Sequence, residues 1–256
     1  MLSDFRVVIV TGGSYGIGRG IVRCFAHRGD AVVIAARDPQ RGQAAETEIR
    51  AGGGRALFVA TDVRTEESVR AMVERAVAEW GRIDVLCNNA GIERYARADE
   101  YTSADFDAIH STNLRGMFLC AKYAFPHLRE RTGSIVNISS VQAIANEASI
   151  SVYAAAKAGI LGLTRGLAVD FAPLGVRVNA VCPGAIGDTG MMENALKSVS
   201  DPDAVVAAAS KAIPLGRMGT PEDVAAAVYF LASSEAAYVS GACLAVDGAL
   251  LARLAI

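Results

Sequence analysis

Short apolar runs recur along the chain, with longer amphipathic segments between them. Runs such as VVIV and AVVIAA are rich in β-branched residues and do not alternate with polar ones, which is typical of strands buried on both faces of a sheet. The intervening segments are long enough to be helices. We predict seven strands, at residues 6–10, 31–36, 56–60, 85–87, 134–138, 177–181 and 243–246.

Strands that alternate with helices in this way predict a doubly wound α/β fold with a parallel sheet. The crossovers of such a fold are right-handed, so helices cover both faces, and ligands bind beyond the carboxyl ends of the strands. The chain of 256 residues shows no linker, internal repeat or low-complexity tract, and we expect one domain over residues 1–256.

The composition narrows the range of partners. A formal net charge of −2 gives no electrostatic reason to bind nucleic acid or an anionic membrane. The sequence has no signal-peptide pattern and no uninterrupted apolar run of about 18 residues. We therefore expect a cytoplasmic protein that neither spans a membrane nor binds nucleic acid.

Cysteine and histidine form no metal-binding pattern. The three histidines lie in helical stretches without ligand partners at metal spacing, so we expect no metal site. Five scattered cysteines without C-x-x-C spacing indicate reduced thiols in strands or helices. Cys87 and Cys182 border the motifs described below and Cys243 lies near the C-terminus, so a functional role for these three stays open beside simple burial.

A glycine-rich turn, TGGSYGIG at residues 11–18, follows the first apolar run and leads into a helical pattern at 17–28. Glycine accepts positive φ and has no Cβ, so a diphosphate can approach the backbone N–H groups at the start of the helix. With a second strand close behind, this context predicts a dinucleotide-binding turn.

Tyr153 and Lys157 stand four residues apart in the segment SVYAAAK. Positions i and i+4 share one face of a helix, so the Lys157 ammonium is expected near the Tyr153 phenol. A neighbouring cation lowers the pKa of a phenol from its usual value of about 10. The pair therefore predicts a tyrosine that works as a general acid or base.

These two motifs, together with four others in the same order, resemble the short-chain dehydrogenase/reductase family over nearly the whole chain. The others are N-N-A-G at 88–91, Asn113, Ser140 thirteen residues before the tyrosine, and N-x-V-x-P-G at 179–184. The resemblance implies a Rossmann fold and an NAD(P)-dependent oxidoreductase that interconverts a secondary alcohol or sugar hydroxyl and a ketone. It also implies a small-molecule alcohol or carbonyl substrate and a homotetramer.

Four residues would carry the chemistry: Asn113, Ser140, Tyr153 and Lys157. In ketone reduction, Ser140 and Tyr153 would donate to the carbonyl oxygen as negative charge grows on it, and Tyr153 would give up its proton. Lys157 would favour the phenolate and hold the nicotinamide ribose. By resemblance, Asn113 would hold a water that connects Lys157 to solvent.

The cofactor residues implied by the resemblance follow the strand ends. Asp62 resembles an adenine contact, and it could equally cap a helix that begins near Thr65. Thr189 stands one residue beyond the family's usual threonine position, which Asp188 occupies; one extra loop residue would restore the contact. The complete set, beside Tyr153 and Lys157, is Gly12, Ser14, Tyr15, Gly16, Ile17, Gly18, Arg37, Asp62, Val63, Asn89, Ala90, Gly91, Pro183, Gly184, Ile186 and Thr189.

The end of the second strand bears on the choice of cofactor. It carries Arg37 in place of the carboxylate expected for NAD, and Arg41 follows, which together predict NADP. NAD stays possible because Asp38 lies twenty residues after Gly18. Asp38 and the following proline also fit a helix N-cap, and both arginines could be ordinary solvated charges.

The sequence leaves the substrate open. Two groups of polar residues are candidates to line the substrate pocket. They are Glu93, Arg94 and Tyr95 in one loop, and Gln142, Asn146 and Glu147 in another. Their side chains could equally bind a sugar or simply be solvated by water. The segment from about residue 185 to 214 is expected to form either a mobile lid over the substrate or a fixed interface segment. Aldose dehydrogenation and 3-oxoacyl thioester reduction both stay open. The alternative of a non-catalytic redox sensor or scaffold has no need of a tyrosine acid.

Overall fold

The computed structural model describes residues 5–197 and 199–253, whose framework is a seven-stranded parallel sheet. The order β3-β2-β1-β4-β5-β6-β7 confirms the predicted doubly wound α/β fold, and each strand boundary lies within two residues of its prediction. The strands are β1 Val7–Thr11, β2 Ala31–Ala36, β3 Arg55–Ala60, β4 Val85–Asn88, β5 Ser134–Ile138, β6 Arg177–Pro183 and β7 Cys243–Val246.

Helices cover both faces of the sheet. They are α1 Gly16–His27, α2 Pro39–Ala51, α3 Glu66–Trp80, α4 Ser103–His110, α5 Gly116–Glu130, α6 Ser151–Phe171, α7 Gly190–Lys197, α8 Pro202–Ala212 and α9 Pro221–Ala232. In β1, Val7 and Ile9 join a core with α3, α5 and α6, whereas Val8 and Val10 join a second core with α1, α2 and α9. Burial on both faces explains why the apolar runs do not alternate.

The strand order reverses between β1 and β4, which pair side by side with Val10 opposite Cys87. Ligands of open α/β sheets bind at such a reversal because the two crossovers leave a crevice between them. The glycine turn follows β1 and the N-N-A-G turn follows β4. Both motifs therefore flank the same crevice.

A π-helical turn, Ser111–Arg115, joins α4 to α5. The capping box between Thr102 and Asp105 fixes the start of α4, and the wider turn at its end places Asn113 in the interior with no exposed surface. Single π turns inside helices are frequent at functional sites. The sequence pattern does not predict this turn.

Helix α6 is central to the molecule. Within the described residues, the segment Ser151–Leu174 is the one stretch long and apolar enough to cross a membrane, and 44% of its most apolar window is buried. Its inner face carries Tyr153 and Lys157, and it packs against β6. We therefore treat α6 as a core helix of the sheet fold.

The segment predicted as a lid has a fixed start. Gly187 N donates to Gly219 O over 2.9 Å, and Gly219 N donates to Ala185 O over 3.0 Å. Beyond this point, α7 and α8 lie on the outside, with no buried residue among their described side chains. The alanine-rich residues 203–212 lie within α8.

Candidate active site

The glycine turn has the tight geometry that a dinucleotide needs. Gly12 and Gly16 have φ of +66° and +52°, values that residues with a Cβ rarely adopt. A Cβ on Gly18 would lie 2.2 Å from Gly12 O, so only glycine fits there. Helix α1 begins directly at Gly16, which turns its first N–H groups toward the crevice.

Asn89 ties the glycine turn to the turn after β4. Its Nδ2 donates to Thr11 O over 2.9 Å and to Gly12 O over 3.3 Å. In return, Thr11 Oγ1 accepts from the N–H groups of Asn89 and Ala90 at 2.9 and 3.1 Å. The Asn89 side chain therefore shapes the floor of the crevice, a role that the sequence analysis missed.

Asn113 holds the loop that leaves this floor. Its Oδ1 accepts from Ile92 N and its Nδ2 donates to Ile92 O, both over 2.8 Å. A Cβ on Gly91 would lie 3.4 Å from Asn113 Oδ1 and 3.6 Å from Lys157 Nζ. Gly91, Asn113 and Lys157 therefore meet at one point, as the motif order predicts; the water suggested for Asn113 stays a prediction.

Two hydrogen bonds set α6 against the end of β5. Lys157 Nζ donates to Ile138 O over 2.9 Å, and Ser139 Oγ donates to Lys157 O over 2.8 Å. Ser139 is thus turned toward the helix backbone, which agrees with the selection of Ser140 as the catalytic candidate. The positioning role of Ser139 has no signal in the local sequence.

Tyr153 and Ser140 face each other beside Lys157. Both are buried, and the Ser140 side chain lies close enough to the phenol to lower the pKa of Tyr153 against the effect of burial. Lys157 Nζ lies 5.4 Å from the centroid of the Tyr153 ring. The structure therefore brings together all four predicted catalytic residues at the carboxyl ends of β4 and β5.

The carboxylate of Asp38 is engaged as the N-cap of α2. Its Oδ1 accepts from Gln40 N and Arg41 N over 2.9 and 3.1 Å, and Pro39 opens the helix. This confirms the capping interpretation of the Asp38-Pro39 pair. Arg37, beside it, is exposed at the rim of the crevice.

Asp62 is held by Arg64 at the same rim. Arg64 Nε and Nη2 donate to Asp62 Oδ2 over 3.0 and 2.6 Å, and this pairing lowers the pKa of the Asp62 carboxyl, with a smaller effect from Arg37. The N-cap of α3 is Thr65, so the capping alternative for Asp62 is wrong. Val63 is buried against Gly116, which leaves its backbone for contact with a cofactor.

The loop after β6 returns to the glycine turn. Asp188 has φ of +51°, and this left-handed residue brings Thr189 against Gly16, where a Cβ would lie 3.3 Å from Thr189 Cα. Pro183 ends β6, Gly184 N donates to Val246 O over 3.0 Å, and Ile186 is buried. Thr189 therefore reaches the crevice through the extra loop residue that the sequence analysis noted.

Helix α7 is connected to the glycine turn through Tyr15. The Tyr15 hydroxyl donates to the Glu193 carboxylate on α7, and the Arg41 guanidinium lies 4.7 Å from the centroid of the Tyr15 ring. Ser14 and Ile17 flank this tyrosine in the turn and are partly exposed. The ring thus connects α7, the glycine turn and α2.

The candidate substrate residues divide into two groups. Tyr95 OH and Gln142 Nε2 donate to Glu147 Oε1 over 3.0 and 2.8 Å, and Ala96 N donates to Ser149 O over 2.8 Å, which joins the two loops. Arg94 instead pairs with Asp105 at the start of α4. Asn146 is exposed.

Glu93 is half-buried in the loop after β4, and its charge interacts with Lys157 and Tyr153. Burial raises its pKa, Glu147 raises it further, and Lys157 opposes the rise. Burial raises the pKa of Tyr153, and the Glu93 charge raises it further, so this carboxylate acts on the phenol through its charge. Its burial was not foreseen from the sequence, since loop carboxylates are usually solvated.

Comparison with known proteins identifies the family. Residues 12–250 match the family model described as enoyl-(acyl carrier protein) reductase. L-fucose dehydrogenase from Bos taurus is 42% identical over 244 residues, which cover 95% of this chain and 88% of that protein. The chain belongs to the short-chain dehydrogenase/reductase family.

Two further relatives are named for different kinds of alcohol substrate. Cis-4-hydroxycyclohexanecarboxylate dehydrogenase from Sinomonas cyclohexanicum is 44% identical over 245 residues, 95% of each chain. The ligand-free aldohexose dehydrogenase structure from Thermoplasma acidophilum matches with a TM-score of 0.89 and 37% identity, over 98% of this chain and 96% of that one. This chain is therefore an NAD(P)-dependent dehydrogenase/reductase for small-molecule alcohols or carbonyls.

The crevice of this short-chain dehydrogenase fits a dinucleotide. A cavity of about 400 Å³ adjoins the glycine turn and is lined by residues that include Ser14, Arg19 and Arg41. Among the described side chains, Arg19 Nη1 is buried without a hydrogen-bond partner, so a donor is available to an anion. The glycines leave the backbone open to a diphosphate, and Tyr153 and Lys157 lie where a nicotinamide ribose would be held.

Burial controls the ionisation of the catalytic pair in this dehydrogenase. It raises the pKa of Tyr153 above its usual range, with a further rise from Glu93 and an opposing effect of the Ser140 hydrogen bond. It lowers the pKa of Lys157 to about 8. The expectation of a lowered pKa for Tyr153 is wrong for this arrangement, because burial of the phenol outweighs any effect of the neighbouring ammonium.

The buried ammonium predicts a specific pH dependence of stability. Between pH values of about 8 and 10.5, the unfolded chain binds a proton at Lys157 that the folded chain has released, so stability rises with pH. Lys157→Met removes this titration. The wild-type free energy of unfolding, relative to that of Lys157→Met, should therefore rise by about 3 kcal/mol between pH 7 and 10.5, as measured by urea unfolding.

Lys211 provides the control, because it is exposed on α8. Lys211→Met should keep the wild-type pH dependence. Equal pH dependence in Lys157→Met and the wild-type protein would contradict the buried ammonium.

Proposed function

We propose that this protein is an NADP-linked dehydrogenase that interconverts a hydroxyl group of a neutral, polyhydroxylated substrate such as an aldose and the corresponding carbonyl. The observation that carries the proposal is the buried cluster of Tyr153, Ser140 and Lys157, with the half-buried Glu93 carboxylate close enough to raise the pKa of the phenol further. The cluster supplies acid–base chemistry, and the carboxylate supplies recognition of hydroxyl groups.

The acid–base step follows from the cluster. When bound, the nicotinamide supplies or accepts the hydride. During reduction, Tyr153 donates its proton to the carbonyl oxygen while Ser140 donates a second hydrogen bond, and both stabilise charge that develops only in the transition state. During oxidation, the phenolate form of Tyr153 takes the hydroxyl proton, and the neighbouring Lys157 ammonium favours that form against the effect of burial. Asn113 keeps the loop at Ile92 in place beneath them.

Two carboxylates support a neutral polyol as the substrate. The Glu93 charge acts on Tyr153, and Glu147 is fixed by Tyr95 and Gln142. Carboxylate oxygens accept hydrogen bonds from hydroxyl groups and repel anions. An acyl chain offers no donors to them, which favours aldose dehydrogenation over 3-oxoacyl thioester reduction. The similarity to L-fucose and aldohexose dehydrogenases supports the same choice.

The cofactor preference rests on charge at the rim of the crevice. Asp38 is occupied as a helix cap, whereas Arg37 is exposed and Arg41 lines the cavity beside Ser14. A guanidinium recognises a phosphate group through paired N–H donors. These features support NADP as the cofactor, with Arg37 as the first contact to the 2′-phosphate.

An apolar groove supports self-association into the proposed homotetramer. Leu114, Phe118 and Leu163 line a cavity of about 600 Å³ on the face formed by α5 and α6. Phe118 is 46% exposed, and Phe106 nearby is 47% exposed. Exposed apolar patches of this kind are typical of subunit contacts.

Tyr153→Phe tests the acid–base assignment. The variant should bind the nicotinamide cofactor with wild-type affinity, measured by fluorescence, because only one hydroxyl is lost. Turnover should fall by at least about a hundredfold, the usual contribution of a general acid. Tyr238→Phe is the matched control, since Tyr238 is fully exposed. Turnover retained in Tyr153→Phe would refute the catalytic role.

Arg37→Ala tests the cofactor assignment. Loss of a charge-assisted hydrogen bond to phosphate should raise the KM for NADP about tenfold or more and leave the KM for NAD within about twofold. Arg129→Ala, which removes an exposed arginine at the end of α5, should change neither. An equal effect on both cofactors would count against recognition of the 2′-phosphate.

Glu93→Gln tests the substrate class. Loss of the charged acceptor should raise the KM for aldoses about tenfold, while the kinetics with cyclohexanol stay within about twofold, because cyclohexanol has no second hydroxyl to bind. Glu130→Gln, at the exposed end of α5, is the control. The same loss with both substrates would show that Glu93 does not recognise the polyol.

A further inference from the structure

Two cysteines that are distant in sequence meet on neighbouring strands. The Sγ atoms of Cys182 on β6 and Cys243 on β7 lie 3.0 Å apart. In the strand register, Cys243 lies opposite Ala180 and Cys182 lies opposite Ala245, so the two cysteines are diagonal neighbours on the same face. The remaining cysteines, Cys24, Cys87 and Cys120, lie on α1, β4 and α5.

The two thiols have unequal surroundings. Cys182 is fully buried, whereas Cys243 is exposed. The hydrogen bond from Cys182 lowers the pKa of Cys243 to about 7, and Arg165 contributes to the decrease. The same contact, together with burial, raises the pKa of Cys182. An exposed thiolate beside a buried thiol is the arrangement of a reactive cysteine with its resolving partner.

We propose that Cys243 and Cys182 are a thiol modification site that forms a reversible disulfide with hydrogen peroxide, in which Cys243 reacts first and Cys182 resolves. The Cys243 thiolate attacks one peroxide oxygen, the O–O bond breaks, and protonated hydroxide leaves as water, which gives a sulfenic acid. The Cys182 sulfur then attacks the Cys243 sulfur, the S–O bond breaks, and a second water leaves. In total, two thiols lose two electrons and two protons, and one peroxide is reduced to two waters.

The strand arrangement allows the bond to form. The sulfur atoms must approach from 3.0 Å to a disulfide length of about 2.0 Å. β7 is the last strand of the sheet and pairs with β6 alone among the described strands, so it can shift without breaking a second ladder. Cys243 is its first residue.

The disulfide would act on the cofactor end of β6. Cys182 precedes Pro183 and Gly184, and Ser139 and the Ser140 backbone lie close enough to its sulfur to lower the pKa of the thiol against the effects of Cys243 and burial. Formation of the disulfide draws the sulfur toward β7 and away from these groups. Weaker binding of the nicotinamide cofactor follows, a consequence that rests on the proposed function, whereas formation of the bond does not.

Mass spectrometry of the full-length protein tests the site directly. The reduced protein is treated with hydrogen peroxide, free thiols are then alkylated, and the digest is analysed. We expect a linked pair of peptides that contain Cys182 and Cys243, lighter by two hydrogens, while Cys24, Cys87 and Cys120 are alkylated after unfolding. Dithiothreitol should restore both thiols and the original affinity for the cofactor.

Two variants separate the roles of the two sulfurs. In Cys182→Ser, oxidation by hydrogen peroxide should stop at the sulfenic acid of Cys243, which dimedone traps. In Cys243→Ser, Cys182 should stay reduced. Because Cys243 is exposed, its replacement keeps the fold even if Cys182→Ser does not, and Cys24→Ser is the matched control. Two free thiols at positions 182 and 243 after peroxide treatment, or equal oxidation of Cys182 in Cys243→Ser, would overturn the proposal. Since the readout is a mass, neither result depends on the enzymatic activity.

Discussion

The active site depends on the way in which α6 is fixed against the end of β5. The Lys157 ammonium donates to the Ile138 carbonyl, and the Ser139 hydroxyl donates to the Lys157 carbonyl, so two hydrogen bonds run in opposite senses between the same pair of elements. A slip of α6 along the strand would break both bonds. Because Tyr153 lies one helical turn before Lys157, the same pair of bonds sets the phenol opposite Ser140.

This arrangement lowers the free energy of unfolding. A protein that only binds a dinucleotide would have no need of it. An ammonium and a phenol are buried within one helical turn of each other. Desolvation lowers the pKa of Lys157 and raises the pKa of Tyr153, so it favours the neutral form of both groups. Local arrangements that are unfavourable for folding are typical of sites where the chemistry requires them. The buried polar cluster therefore argues for an enzyme and against a scaffold that holds a dinucleotide without turnover.

The sequence predicts those features that depend on local pattern. All seven strands are found from apolar runs, and four of them, β1, β2, β4 and β5, are buried at every residue. The spacing of Tyr153 and Lys157 determines that they share a helix face. Other features depend on which segments become neighbours in space. The Asn89 bridge to the glycine turn and the Cys182–Cys243 contact join residues on different strands or turns, and no local pattern records such contacts. The same limit explains the wrong expectation for the phenol pKa, since burial is a property of the folded chain.

The bond between Ala96 N and Ser149 O has a consequence for how substrate preference can diverge. It joins the loop after β4 to the loop after β5, and the contact of Tyr95 with Glu147 joins them a second time. Replacement of one loop alone would leave its partner with broken contacts, whereas exchange of both together preserves them. The two loops are thus the natural unit for grafting a new specificity onto an unchanged set of proton-transfer groups.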